Sequence, residues 1–227
     1  MMLDLFGASG RDMGRDRGRR FPRAAAAVAA LALLLAAATA AAAQDTPVVG
    51  DVGRVVGEVT VLRGTDRLPA AAGTVLHEGD GIATGPEARV EILCADGSSI
   101  VIGPDSAVSV AAYAPAEGGA GRALLDLIQG ILRVTLSGRT PWQSYEVRSA
   151  TAVASVRSTD WIVDATRIKT GVFVVDGQVA VTGRAGAGEV LLVPRQGTDV
   201  QVGGLPGAPK AWGQARIDGV LARTSLP

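Results

Sequence analysis

The stretch Ala88 to Val110, ARVEILCADGSSIVIGPDSAVSV, constrains the fold of this chain more than any other. Val90, Ile92 and Cys94 alternate with Arg89, Glu91 and Leu93, the period of a half-buried strand. Asp96-Gly97 breaks the run, and Ser99-Ile100-Val101-Ile102 begins a second one. Asp-Gly between two such runs signals a tight turn, because Gly accepts positive φ at little cost. Gly103-Pro104-Asp105-Ser106 turns again into a third run at Val108 and Val110.

The same grammar continues in both directions. Gly57 to Leu62 reads as a strand, Arg63 to Asp66 as a turn, and Glu78-Gly79-Asp80-Gly81 as a tight turn before Ile82-Ala83-Thr84. Tyr145 to Val147, Thr151 to Val156, Trp161 to Val163, Val190 to Val193 and Thr198 to Val202 are further strands. Val172 to Val175, Asp176-Gly177 and Val179 to Val181 predict a second Asp-Gly hairpin. Arg122 to Leu136 admits a helical stripe, but Gln129-Gly130 interrupts it and alternation follows, so two strands around that pair are favoured. Pro206 and Pro209 end the pattern, and Trp212, Ile217, Val220 and Leu221 suggest a short terminal helix. The 30 glycines fall between apolar runs, and lysine occurs only at Lys169 and Lys210. Short strands without intervening helices predict an all-β domain: a sandwich, a barrel-like roll or a solenoid-like twisted stack.

The N-terminus differs. Residues 11–23 are rich in arginine, Ala24 to Ala43 is uncharged and apolar, and small residues precede Gln44. This pattern predicts a secretory signal peptide over residues 1–43, cleaved after Ala43; the alternative is an uncleaved inner-membrane anchor. Either places the body outside the cytoplasm, in the periplasm if the source has two membranes. The expected organisation is then a linker over 44–51, an all-β domain over 52–205 and a tail over 206–227.

Residues 1–43 carry six arginines against three aspartates, leaving the body weakly acidic within a chain of zero formal charge. A body without a basic stripe argues against nucleic acid as a partner. One cysteine, Cys94, and one histidine, His77, give no disulfide and no self-sufficient metal site. His77 reads as a surface-loop residue and Cys94 as a buried, inert thiol. Asp160 and Asp164 flank Trp161 and, with Trp142 and Tyr145, are the candidates for a sugar-binding face. Alternation instead favours Trp161 as core and the two aspartates as a solvated face. Gly183 to Gly188 reads as a loop, and no G-x-S-x-G, P-loop or H-E-x-x-H motif is present. No catalytic residue, metal ligand or cofactor site is assigned.

Asp80-Gly81-Ile82-Ala83-Thr84-Gly85, Val90 to Leu93, Asp96-Gly97-Ser98 and Pro104-Asp105-Ser106 resemble, in order and spacing, elements of the FecR domain family. So do Leu127 to Val134, Val156 to Trp161 and Val174 to Val181, which extends the resemblance over residues 75–182. Ser158 departs from the glycine many members carry before Thr159. The resemblance implies a periplasmic all-β sensing domain. Members in iron-uptake signalling relay the state of an outer-membrane transporter to a cytoplasmic sigma factor through an N-terminal anti-sigma region. About 23 residues precede the apolar run here, so the chain reads as a stand-alone exported FecR-domain protein. Its expected role is non-enzymatic protein–protein interaction in envelope sensing, with Arg157 and Thr159 on a possible interaction surface; the alternative is an exported glycan- or envelope-ligand-binding β-module.

Overall fold

The computed structural model describes residues 46–115, 121–140, 142–186 and 188–227, with backbone alone at 157 and 158. The predicted signal peptide lies outside the described residues. The strands are β1 (Val48–Val56), β2 (Val59–Arg63), β3 (Asp66–Pro69), β4 (Val75–His77), β5 (Gly81–Thr84), β6 (Arg89–Cys94), β7 (Ser99–Ile102) and β8 (Ala107–Ala114). They continue with β9 (Gly121–Thr135), β10 (Trp142–Arg148), β11 (Ala152–Ala165), β12 (Lys169–Gly183), β13 (Glu189–Leu192), β14 (Gln196–Gln201) and β15 (Lys210–Ala211). One helix, α1 (Gln214–Arg223), follows. The all-β reading and the short terminal helix are both observed.

All fifteen strands belong to one sheet that folds over on itself. The first layer runs β13–β12–β11–β10–β9–β8–β5–β2–β3, and the second runs β15–β14–β12–β11–β9–β7–β6–β1–β4. Three strands appear in both layers. The first half of β9 pairs with β8 and β10 and its second half with β7 and β11. β11 and β12 likewise change layer midway along their shared ladder. The inner faces of both layers form one core, in which Leu125, Leu132, Val163, Val172 and Val179 are fully buried. This is a two-layered sandwich laced by bent strands.

Two sequence expectations are corrected at the bends. The segment read as two strands around Gln129-Gly130 is one continuous strand, β9, with Gly130 at φ +95° marking the bend. Asp176-Gly177 is no hairpin tip; Gly177, at φ +84°, bends β12 opposite Thr159 while β11 bends beside it. A glycine with positive φ serves a bend as well as a turn. The length of the opposing strand decides between them, and β11 runs uninterrupted for 14 residues. A third difference lies at the start: β1 opens at Val48, inside the segment read as linker, and pairs with both β4 and β6.

The bend in β9 is held by residues far apart in sequence. Thr84 Oγ1 donates to the Gly103 carbonyl at 2.6 Å and accepts from the Ser106 N–H at 2.9 Å. The Ser106 hydroxyl in turn accepts from the Ile131 N–H at 2.9 Å. Thr84, Ser106 and Ile131 are buried, so these bonds satisfy backbone groups that water cannot reach.

Candidate functional site

His77 closes β4, and its backbone N–H donates to Asp80 Oδ2 at 2.8 Å. Arg63 grips the same carboxylate through two bonds, Nε to Oδ1 at 2.9 Å and Nη2 to Oδ2 at 2.6 Å. Asp80 is only 2% exposed. Burial opposes its ionisation, but the Arg63 guanidinium and the His77 N–H outweigh burial and hold the carboxyl below its ordinary range. The residue that sequence reasoning singled out, His77, therefore sits beside a buried ion pair that clasps β2 to the β4–β5 turn. Its ring Nδ1 lies 3.9 Å from Asp80. Among the described residues, no three histidine, cysteine, aspartate or glutamate side chains gather into a metal-binding group.

Cys94 is buried at the end of β6, and burial, with Asp96 adding its charge, pushes the thiol up to about 12. The adjoining turn does more than reverse the chain. Asp96 Oδ1 accepts from the Tyr113 hydroxyl at 2.9 Å and Oδ2 from Trp142 Nε1 at 3.2 Å. It also accepts from the Ser98 N–H and hydroxyl. Tyr113, Trp142, Tyr145 and Trp161 form an aromatic ladder with successive ring centroids 5.6, 5.2 and 5.6 Å apart.

That ladder removes the sugar-binding face. Trp142, Tyr145 and Trp161 are all at most 4% exposed and pack inside the sandwich, so none offers a ring to a sugar. Trp161 as core is as the alternation predicts. The two aspartates point the other way, on a face that is partly solvated: both keep some exposure, while Asp160 pairs with Arg133 at 2.6 Å and Asp164 with Arg223 of α1 at 2.8 Å. Thr159 is buried, its hydroxyl donating to the Gln178 carbonyl at 2.9 Å. The Arg157 side chain lies outside the described residues, as does Ala187 of the Gly183–Gly188 loop.

Helix α1 lies on the outer face of the second layer. Ile131, Ile162 and Phe173 from the sheet meet Trp212, Ile217 and Val220 in a second apolar cluster. Trp212 stacks on Phe173 with centroids 5.1 Å apart, and the Arg216 guanidinium carbon sits 3.3 Å from the Trp212 ring centroid. Arg216 also forks onto Asp199 at 2.6 and 3.0 Å, an ion pair that holds the Asp199 carboxyl low against its burial. At the other end of the helix, Arg89 donates to the Ala222 and Arg223 carbonyls, each at 3.3 Å. Cations favour the carbonyl end of a helix.

The outer face of the first layer presents three transverse rungs, fixed by the register. The first reads Ser109, Asp126, Arg148, Val153, Thr182, Glu189 from β8 to β13. The second reads Ala112, Leu124, Glu146, Ser155, Ala180, Leu191. The third holds Ala114, Arg122 and Ser144. The middle rung carries Ala112, Leu124, Ala180 and Leu191 to either side of a polar pair, Glu146 and Ser155, and most side chains on the rungs beside it are charged or polar. Leu191 is 52% and nearby Ile128 61% exposed. Two depressions open on this face. One of about 600 Å³ is lined by Ser155, Gln178, Ala180 and Leu191, the other of about 450 Å³ by Ser109, Ile128, Arg148 and Arg184. No residue type in the sequence marks this face; only the strand pairing assembles it.

Residues 80–180, which hold part of these features, match the family model described as FecR protein. The match starts at Asp80 and takes in Thr84, Asp96, Ser106 and Gly130. No curated protein matches the sequence. Two crystal structures of a putative anti-sigma factor from Parabacteroides distasonis are similar in fold, at 16% and 17% identity and TM-scores of 0.49 and 0.48. Each alignment covers 62% of this chain and 64% or 63% of the other, so the chain spans under two thirds of these relatives' length.

Proposed function

We propose that this chain is an exported, non-enzymatic FecR-type protein that acts in envelope signalling by binding a protein partner in the periplasm. The observation that carries the reading is the FecR match over residues 80–180, joined to a first-layer face that sets exposed apolar side chains such as Leu191 beside charged and polar ones. Protein interfaces mix apolar and hydrogen-bonding groups in this way. The basic, then apolar, then small-residue N-terminus supports export. The candidate residues support a binding role over a chemical one, since Asp160 and Asp164 are each engaged by arginine and Cys94 is held protonated by burial.

The glycan-binding alternative draws no support from the aromatic residues, because Tyr113, Trp142, Tyr145, Trp161 and Trp212 are all at most 6% exposed. Affinity capture from envelope extract tests the two readings together. Partner binding predicts a retained protein that survives glycan digestion. Retention on purified peptidoglycan with no protein captured would favour the alternative.

A further inference from the structure

The outer face of the second layer is shaped as a trough for a helix. Gly103, Gly171 and Gly197 line it where α1 and Trp212 come closest. A Cβ at Gly171 would sit 2.8 Å from Arg216 Nη2 and 3.3 Å from the Trp212 ring, and one at Gly103 would sit 2.6 Å from the Arg223 carbonyl oxygen. A Cβ at Gly197 would run into the Trp212 indole. Ile131, Ile162 and Phe173 supply an apolar floor. Asp164 and Asp199 stand on the rim, each answered by one arginine of the occupant. Arg216 and Arg223 are seven residues apart, two helical turns, so both lie on one face.

The present occupant is a weak helix. It has ten residues, below the length at which an isolated helix holds in water. Its N-cap is Gly213, with no side-chain cap bond, and no acidic residue stands in its first turn. Gly219 sits in its interior, a further penalty against helix. Its tether stays anchored: the Thr198 hydroxyl donates to the Gly207 carbonyl at 2.6 Å, and Lys210–Ala211 pair with β14. A released α1 therefore remains a close competitor for its own site.

We infer that this trough is a docking site for a basic amphipathic helix of a protein partner, which takes the place of α1. The ligand chemistry is read from the resident segment: an aromatic anchor over Phe173 and two arginines or lysines two turns apart that reach Asp199 and Asp164. This adds a second surface and a ligand shape to the partner-binding reading. The full chain tests it with a fluorescently labelled peptide of residues 208–225 carrying Gly219→Ala, a stronger helix of the same pattern. Trp212→Ala in the full chain loosens the resident helix, and the peptide is expected to bind this variant at least tenfold more tightly than the wild type. Asp164→Lys should weaken binding, and a peptide that also carries Arg223→Glu should recover it. This charge exchange reads the site even if the tryptophan variant folds poorly. No binding to a folded Trp212→Ala protein, or binding indifferent to the charge exchange, overturns the inference. The assay contains no envelope material, so its failure leaves the partner-binding reading standing.

Discussion

The Asp96 carboxylate accepts a hydrogen bond from the Tyr113 hydroxyl at 2.9 Å, joining a surface turn to the aromatic ladder inside the sandwich. Trp142 donates to the other carboxylate oxygen, so one turn residue ties β8 and β10 to the β6–β7 connection. The Tyr113 hydroxyl is held strongly protonated by burial and by the Asp96 charge beside it, which keeps it a donor.

Asp96→Ala should therefore cost more than a turn substitution does. It strands the Tyr113 and Trp142 donors at the core boundary, a loss of about 1–3 kcal/mol for each buried group left unpaired. Urea unfolding followed by tryptophan fluorescence should show a lower midpoint with an unchanged slope. A conservative change at an exposed turn residue such as Asp66 should move it by less than about 0.5 kcal/mol.

Gly130→Ala tests the joint in β9. Gly130 holds φ +95°, and an added Cβ would run into the Ser106 hydroxyl and backbone. Strain at such a position costs about 1–3 kcal/mol, and the clash adds to it. Because Ser106 also receives the Ile131 N–H, the expected result is a large loss of stability or no folded protein, read by circular dichroism and thermal melting. Gly64→Ala, at positive φ with open space around it, carries the backbone cost alone, so a smaller loss there than at Gly130 would separate the clash from that cost.

Much of this fold is legible in the sequence. The alternation in β6 and β7, the turn at Asp96-Gly97 and the terminal helix all follow from local pattern. The errors cluster where one glycine signal has two structural uses. Asp176-Gly177 and Gln129-Gly130 each sit between alternating runs, as a hairpin tip would, yet both are bends in long strands. The distinguishing cue was the partner: Ala152 to Ala165 contains no glycine or proline, so it needs an opposing strand of equal length. The sites were less readable for a different reason. Asp80 becomes a buried charge only because Arg63 reaches it from another strand, and the two longer rungs of the first layer each join residues from six strands. Such convergence leaves no local trace.

The Asp80 clasp predicts a specific acid sensitivity. Its folded carboxyl titrates below the ordinary value of 3.8, so its stabilising effect is complete above that value and is lost as the pH falls through the lower folded one. The wild type should lose stability in this window, and Asp80→Asn should flatten that part of the profile. The same variant leaves the Arg63 guanidinium without its partner, at a cost of about 1–3 kcal/mol at neutral pH because Arg63 is partly exposed to water. Chemical denaturation from pH 3 to pH 7 measures both effects.

Cys94 should be unreactive in the folded protein. With its thiol raised to about 12, almost no thiolate exists at pH 8, and its burial blocks access. Labelling by a thiol reagent should then proceed at the rate of unfolding, and Asp96→Ala should accelerate it. Prompt labelling of the native wild type would contradict the placement of Cys94 in the core.

Ala180 stands on the middle rung between Ser155 and Leu191, with one of the two depressions beside it. Placing an arginine there fills the depression and adds a positive charge beside Leu191 without touching the core. Affinity capture from envelope extract, with wild type, Ala180→Arg and the distant control Arg67→Ala run side by side, tests the partner-binding account most directly. The account predicts a defined protein retained by wild type and by Arg67→Ala and lost with Ala180→Arg. Equal capture by all three, or retention of glycan with no protein, would contradict it.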